Sequence, residues 1–170
     1  MQQNIRDLDY NYIAGTYNRF PIVLRHGKGS LAYDENEKAY IDLSSGIAVN
    51  TFGFADEAWQ TAVNAQLGTL QHTSNLYYSE PCALLASMLC EKTGMQKVFF
   101  SNSGAEANEC AIKVARKYAQ EKKGKEYYHI ITLQNSFHGR TITTLAATGQ
   151  EVFHRDFTPL TEGFHYVAAG

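Results

Sequence analysis

The chain has few cysteines, no long apolar run and almost no surplus of charge, and each shortage removes a class of function. Its three cysteines, Cys82, Cys90 and Cys110, follow no CxxC or other ligand-like spacing, and an odd number argues against a disulfide framework. They read as reduced packing residues of a cytoplasmic protein, because free cysteine is among the most buried residue types. No segment approaches the roughly 20 apolar residues that cross a bilayer. The start, Met1 to Gly15, carries Arg6, Asp7 and Asp9 and lacks an apolar stretch with a small-residue cleavage site, unlike a secretion signal or an acid-poor transit peptide. The 15 basic and 17 acidic residues are mixed along the sequence and leave a formal net charge of -2. That balance provides no basic stripe for nucleic acid and no polybasic membrane anchor. Small molecules and protein partners are the expected ligands.

What is present is enough for one substantial core, with 44% hydrophobic residues in 170. The spacing predicts a helix around Leu8 to Tyr17, then a small antiparallel meander: Ile22 to Leu24, Leu31 to Tyr33 and Ala39 to Leu43, separated by turn residues. A Gly-rich loop, Ser44 to Gly53, follows. A helix is expected from Asp56 to Leu70, where Ala58, Trp59, Ala62, Val63 and Leu67 recur at helical spacing. The next should start near Ser79, with Pro81 in its first turn and Gly94 at its end, burying Leu84, Leu85, Met88 and Leu89. Beyond it the pattern becomes strand, helix, strand: Lys97 to Ser101, Gly104 to about Lys122, Tyr127 to Leu133. A helical crossover between apolar strands marks a parallel α/β sheet. No later βα unit is expected, and Glu151 to Gly170 reads as irregular or a short strand. An open sheet usually has five or six strands, so the domain reads as unfinished.

Two constellations carry chemistry. In Phe99-Phe100-Ser101-Asn102-Ser103-Gly104-Ala105-Glu106-Ala107-Asn108-Glu109, Ser103 and Glu106 form an S-x-x-E capping box. A helix N-terminus beyond a strand's carboxyl end presents free N–H groups and the positive end of the dipole, which suits a phosphate, and Gly104 and Ala105 are small enough to let an anion approach. A well-capped helix that binds nothing fits these residues equally well. The second constellation is Asn135-Ser136-Phe137-His138-Gly139-Arg140-Thr141, after the next strand. Ligands in open α/β sheets bind outside the carboxyl ends of the strands, where both constellations fall. Phe137 can stack on a flat heterocycle or sit in the core. Arg140 can fork onto a carboxylate or stay a solvated charge. His138 is open between a neutral hydrogen-bond partner and a proton carrier.

Five segments, in this order, resemble the class III aminotransferases, which are fold-type I pyridoxal-phosphate enzymes: Tyr17-Asn18-Arg19-Phe20-Pro21 with the meander ending Ala39-Tyr40-Ile41-Asp42, Ser45 to Asn50, His72 to Tyr78, Ser101 to Glu109, and Phe137 to Thr141. The resemblance implies an α/β fold in which residues 1–55 are an N-terminal small-domain segment and 56–170 the start of a cofactor-binding large domain. It implies that pyridoxal 5'-phosphate is held by Ser103, Gly104, Ala105, Phe137 and His138: phosphate on the Gly104 and Ala105 amides beside Ser103, pyridine ring on Phe137. Arg140 would receive the substrate α-carboxylate.

Within the class, Gly46 to Asn50 and Thr73 to Tyr78 look most like the acetylornithine aminotransferases of arginine biosynthesis, with N-acetylornithine and 2-oxoglutarate as substrates and a homodimer as the working form. The tyrosine that ornithine enzymes carry near Gly46 is absent. Succinylornithine and succinyldiaminopimelate aminotransferases are close alternatives. Asn50 to Asp56 departs from the family pattern, which usually has Gly-His and a proline there. The family's Schiff-base lysine falls beyond this sequence, so no catalytic residue is assigned and no activity is expected of the chain alone. Lys113 lies about 14 Å along its helix from the phosphate end. A standalone phosphate-binding α/β module and a cofactor-free relative are the other readings. No metal, nucleic acid or membrane is expected as a partner.

Overall fold

The computed structural model describes residues 4–170. They form two compact units, one up to Ser79 and the other Glu80–Gly170.

The first unit opens with α1 (Ile5–Tyr12), capped by the Asn4 side chain, which accepts from the Arg6 amide at 3.0 Å. The helix lies earlier than the periodicity predicts because Asn4 is the better N-cap. An antiparallel meander follows, β1 (Leu24–Lys28), β2 (Leu31–Asp34) and β3 (Ala39–Ile41), in sheet order β1-β2-β3. Asp34 organises its second turn. One carboxylate oxygen accepts from the amides of Asn36 (2.8 Å) and Lys38 (3.1 Å), and the other accepts from the Tyr40 hydroxyl (2.9 Å). Partial burial pushes the Asp34 carboxyl up, but these hydrogen bonds and the Lys38 charge outweigh it and hold the group below the ordinary carboxylate value. The same bond, with burial behind it, pushes the Tyr40 phenol up.

Where a Gly-rich loop was expected, α2 (Ser45–Ala48) is a single turn whose residues take positive φ: Ser45 49°, Gly46 59°, Ile47 59° and Ala48 61°. The left-handed region costs an L-residue roughly 1–2 kcal/mol, so this turn is strained at Ile47 above all. Next, Phe54 pairs with Gly29 through two backbone hydrogen bonds. Asp56 then caps α3 (Glu57–Leu67), accepting from the Trp59 amide at 2.7 Å, which gives a clean helix entry despite the unusual preceding sequence.

In the second unit α4 (Glu80–Thr93) begins and ends where Pro81 and Gly94 place it, but Leu84, Leu85, Met88 and Leu89 are exposed, at 37–57%. Their apolar stripe has the right period and lacks a covering element among the described residues. Cys82 is likewise exposed, while Cys90 and Cys110 are half-buried; all three are free thiols. The expected strand at Lys97 to Ser101 is absent. A strand exists only through a ladder partner, and none pairs with this segment, whose Phe99 and Phe100 stand exposed. The long helix α5 (Gly104–Lys123) and the strand β4 (Ile130–Leu133) are present.

The parallel unit lies later than expected: β4 pairs in parallel with β5 (Phe164–Val167), with Ile130 opposite Phe164 and Thr132 opposite Tyr166. Their connection carries α6 (Ile142–Ala147) and a 3-10 turn at Glu151–Phe153. So a further βα unit does follow β4. Its helix is short, which is why apolar periodicity misses it. The core of this unit gathers Ile112 of α5 with Leu145, Ala146 and Ala147 of α6, beside buried Thr132, Thr144 and Thr148. Arg116 ties α5 to both strands. Its guanidinium donates to the carbonyls of Tyr128 (3.1 Å) and Glu162 (2.6 Å) and faces the Phe164 ring at 5.2 Å. No helix of the described residues is long and apolar enough to cross a membrane.

Candidate functional site

The N-terminus of α5 is built from its own sequence. Ser103, in extended conformation, caps the helix by accepting from the Glu106 amide at 3.2 Å. The reciprocal half of the predicted capping box is displaced by one residue. The Glu106 carboxylate reaches the backbone amide of Asn102 (2.6 Å) and its side-chain amide (3.2 Å) rather than the backbone of Ser103. Among the described residues three donors then remain, the amides of Ser103, Gly104 and Ala105, and a Cβ placed on Gly104 would meet nothing within 4 Å. A 20-residue helix thus begins in open N–H groups, with Gly104 exposed and Ala105 half-buried against Gly139.

The second constellation leaves β4 as a loop held from two sides. From α6, the buried Thr148 hydroxyl accepts from the His138 amide at 3.0 Å and donates to the Thr144 carbonyl at 3.0 Å. Ser136 accepts from the Gly149 amide at 3.2 Å, and the Gln150 side chain donates to the Ser136 carbonyl at 3.0 Å. From α5, Asn108 Nδ2 donates to the His138 carbonyl at 2.8 Å, and Glu109 accepts from the Thr141 hydroxyl. Gly139 makes the closest approach. It has φ +131°, and a Cβ there would lie 2.6 Å from Ala105 Cβ and 2.7 Å from Thr144 Oγ1. Only glycine fits that conformation at that distance.

These contacts bring the loop against the first turns of α5, so the two constellations form one surface within this unit. Phe137 is 55% exposed, with one edge against Phe153 (centroids 5.8 Å apart, 62° between planes) and the Arg140 guanidinium 6.0 Å from its ring. Among the described residues Phe137 is thus not a core side chain. His138 is half-buried, its Nδ1 3.4 Å from the Ser136 hydroxyl. Thr141 starts α6 with a capping box made with Thr144.

The sequence reading gave no role to Asn108, Glu109 and Thr141, and missed Thr144 and Thr148, which together shape the loop. The run Thr141-Ile142-Thr143-Thr144 carries a capping signal in which threonine takes the place usually held by Glu or Gln. Lys113 lies on α5 past Ile112, away from the open amides.

The class-III aminotransferase family matches residues 12–170. The chain belongs to that family. It is 56% identical over 165 residues to an acetylornithine aminotransferase of Haemophilus ducreyi, an alignment that covers 97% of this chain and 42% of that protein. Identity to the acetylornithine aminotransferase of Caldanaerobacter subterraneus subsp. tengcongensis is 53% over 156 residues, with 92% of this chain and 40% of that protein covered. The chain thus spans about two-fifths of the length of the curated relatives it matches.

Among solved structures, the ornithine aminotransferase of Toxoplasma gondii superposes with a TM-score of 0.90 at 27% identity, over 96% of this chain and 39% of that one. An omega transaminase of Pseudomonas jessenii in complex with PMP gives 0.89 at 27% identity, over 98% and 39%. The likeness confirms the fold-type I α/β class, of which this unit holds two parallel strands.

Proposed function

We propose that this chain is the amino-terminal portion of an acetylornithine aminotransferase, and that the surface formed by α5 and the Phe137 loop grips pyridoxal 5'-phosphate. The observation that carries the reading is the pair of open amides at Gly104 and Ala105 on the same rigid piece as an exposed aromatic ring. The phosphate ester accepts from both amides at the positive end of the helix dipole, beside the Ser103 hydroxyl. Phe137 stacks on the ring of the cofactor, and His138 closes that side of the loop. Arg140, beside Phe137, receives the α-carboxylate of N-acetylornithine and, in the return half of the cycle, of 2-oxoglutarate; a planar fork suits that group better than a lysine. When bound, the cofactor supplies an electron sink for transferring the amino group.

The acylated substrate is favoured over ornithine by the identity to acetylornithine enzymes and by the missing tyrosine near Gly46. A homodimer in the cytoplasm is part of this reading; the exposed apolar stripe of α4 takes its cover from a second copy or from the further length that the relatives have. Residues 1–55 belong to the small-domain side and 56–170 to the cofactor domain in this reading.

Titration with 4'-deoxypyridoxine 5'-phosphate, which lacks the aldehyde and cannot react with surface lysines, tests the site. Binding to the wild-type chain and loss of binding in Gly104→Trp are expected. The substitution meets open space, so the fold tolerates it while the indole covers the two amides. Equal affinity for both proteins would remove the phosphate assignment.

A further inference from the structure

Asn108 and Glu109 are adjacent on α5, one turn past the open amides, about 6 Å along the helix axis from Gly104. Both reach the same loop, Asn108 at the His138 carbonyl and Glu109 at the Thr141 hydroxyl. The loop does not need them to hold its shape. From the α6 side, Thr148 already binds the His138 amide, Gln150 the Ser136 carbonyl and the Gly149 amide the Ser136 hydroxyl. What the two α5 residues add is register between the loop and the helix. They bracket Gly139, whose contact with Ala105 admits no side chain and therefore no sliding without a clash.

We infer that Asn108 and Glu109 are positioning residues: a clamp that fixes the distance between the phosphate-binding end of α5 and the Phe137–Arg140 loop, so that phosphate and ring contacts are made together. The inference rests on the cofactor reading above and deepens it. A ligand with two contact groups gains from the second only when the protein holds both receptors at the matching span; a loop that drifts spends that gain in ordering. The clamp touches neither the phosphate nor the ring, and it acts through Phe137 and Arg140. Glu109 carries a charge for this purpose because a carboxylate is a stronger acceptor for the Thr141 hydroxyl than an amide.

The test compares two ligands on the full 170-residue chain by calorimetric titration: inorganic phosphate, which uses the amides alone, and 4'-deoxypyridoxine 5'-phosphate, which uses amides and ring. Wild type is expected to bind the ring ester at least about tenfold more tightly than phosphate. Asn108→Leu keeps the size, adds no charge near the phosphate and cannot donate to the His138 carbonyl. It should leave phosphate affinity unchanged and cut the ring advantage by about fivefold to tenfold, the scale of one lost hydrogen bond. Glu109→Ala should act in the same direction, and Glu109→Gln, whose amide oxygen still accepts from Thr141, should restore most of the advantage. If Asn108→Leu fails to fold by circular dichroism, the Glu109 pair decides.

An undiminished ring advantage in the folded variants overturns the clamp and leaves the cofactor site standing. Parallel loss of both affinities also overturns it, since the residues would then only support the fold. A wild-type chain with no ring advantage removes the cofactor reading and the clamp with it.

Discussion

In the meander, β1 ends at Lys28 and β2 begins at Leu31, and Asp34 starts the turn that leads to β3 at Ala39. Every contact is local, and the central group is a charged side chain that satisfies a turn. In the second unit β4 ends at Leu133 and β5 begins at Phe164, so the pair forms only after α6 and the 3-10 turn have packed between them. Its central groups, Thr144 and Thr148, are neutral and fully buried, and its tight points include Gly139, pressed against the Ala105 and Thr144 side chains, and Gly149, pressed against the Leu133 carbonyl. The local sheet is thus organised by a charged turn and the crossover unit by a neutral buried layer, and the candidate site belongs to the latter. Close-packed glycines occur in both, Gly27 against Phe54 and the Leu31 carbonyl in the sheet and Gly139 against Ala105 in the crossover unit.

The largest effect in that comparison is expected of Gly139→Ala. The added methyl clashes with Ala105 at a φ that L-residues avoid, and a loss of about 3 kcal/mol is expected from the second unit. Gly15→Ala, in open space, should change stability by less than about 0.5 kcal/mol. Denaturant melts of both variants check the pair; equal effects would erase the difference. Next is Thr148→Val, which keeps the shape but strands the His138 amide; about 2 kcal/mol is expected, with phosphate binding weakened through the displaced loop.

Thr132→Val should move the other way. The Thr132 hydroxyl is buried without a partner among the described residues, so an isosteric apolar side chain should stabilise by about 1 kcal/mol.

The smallest effect is the pH response of the meander. Asp34 titrates lower in the folded chain than its ordinary value of 3.8, so its contribution is complete above that value and is lost as pH falls through the folded value. Tyr40→Phe, which removes one of the bonds that lower it, should narrow the acid window in which stability falls. Acid titration followed through the Tyr33 ring resonances in both proteins measures it, and an acid midpoint identical in both would contradict the Asp34 account.

The features legible in the sequence were those set by local chemistry. Ser103 before Gly104, Pro81 in a first turn, Gly94 at a helix end and the alternation of Leu31 to Tyr33 each act within a few residues, and the structure places the corresponding elements there. What depends on a distant partner was not legible. Lys97 to Ser101 has the composition of a strand and lacks a ladder; α4 has an apolar face and lacks a cover; α6 is too short for a periodic signal and exists because Thr141 and Thr144 cap it. In the candidate site, the groups that would face a ligand were readable as residue types. The groups that set their spacing, Asn108, Glu109 and Thr148, were not, because a side chain that bonds a remote carbonyl or amide leaves no pattern in its own segment.

The claim that the α5 amides and the Phe137 loop form one cofactor site is tested most directly by mapping amide chemical shifts during titration with 4'-deoxypyridoxine 5'-phosphate. The account predicts that the Gly104 and Ala105 amides move first and furthest, that Phe137 to Arg140 move with them at the same midpoint, and that the meander amides stay still. Shifts confined to other surfaces, or a loop that responds at a different midpoint from the two amides, would contradict it.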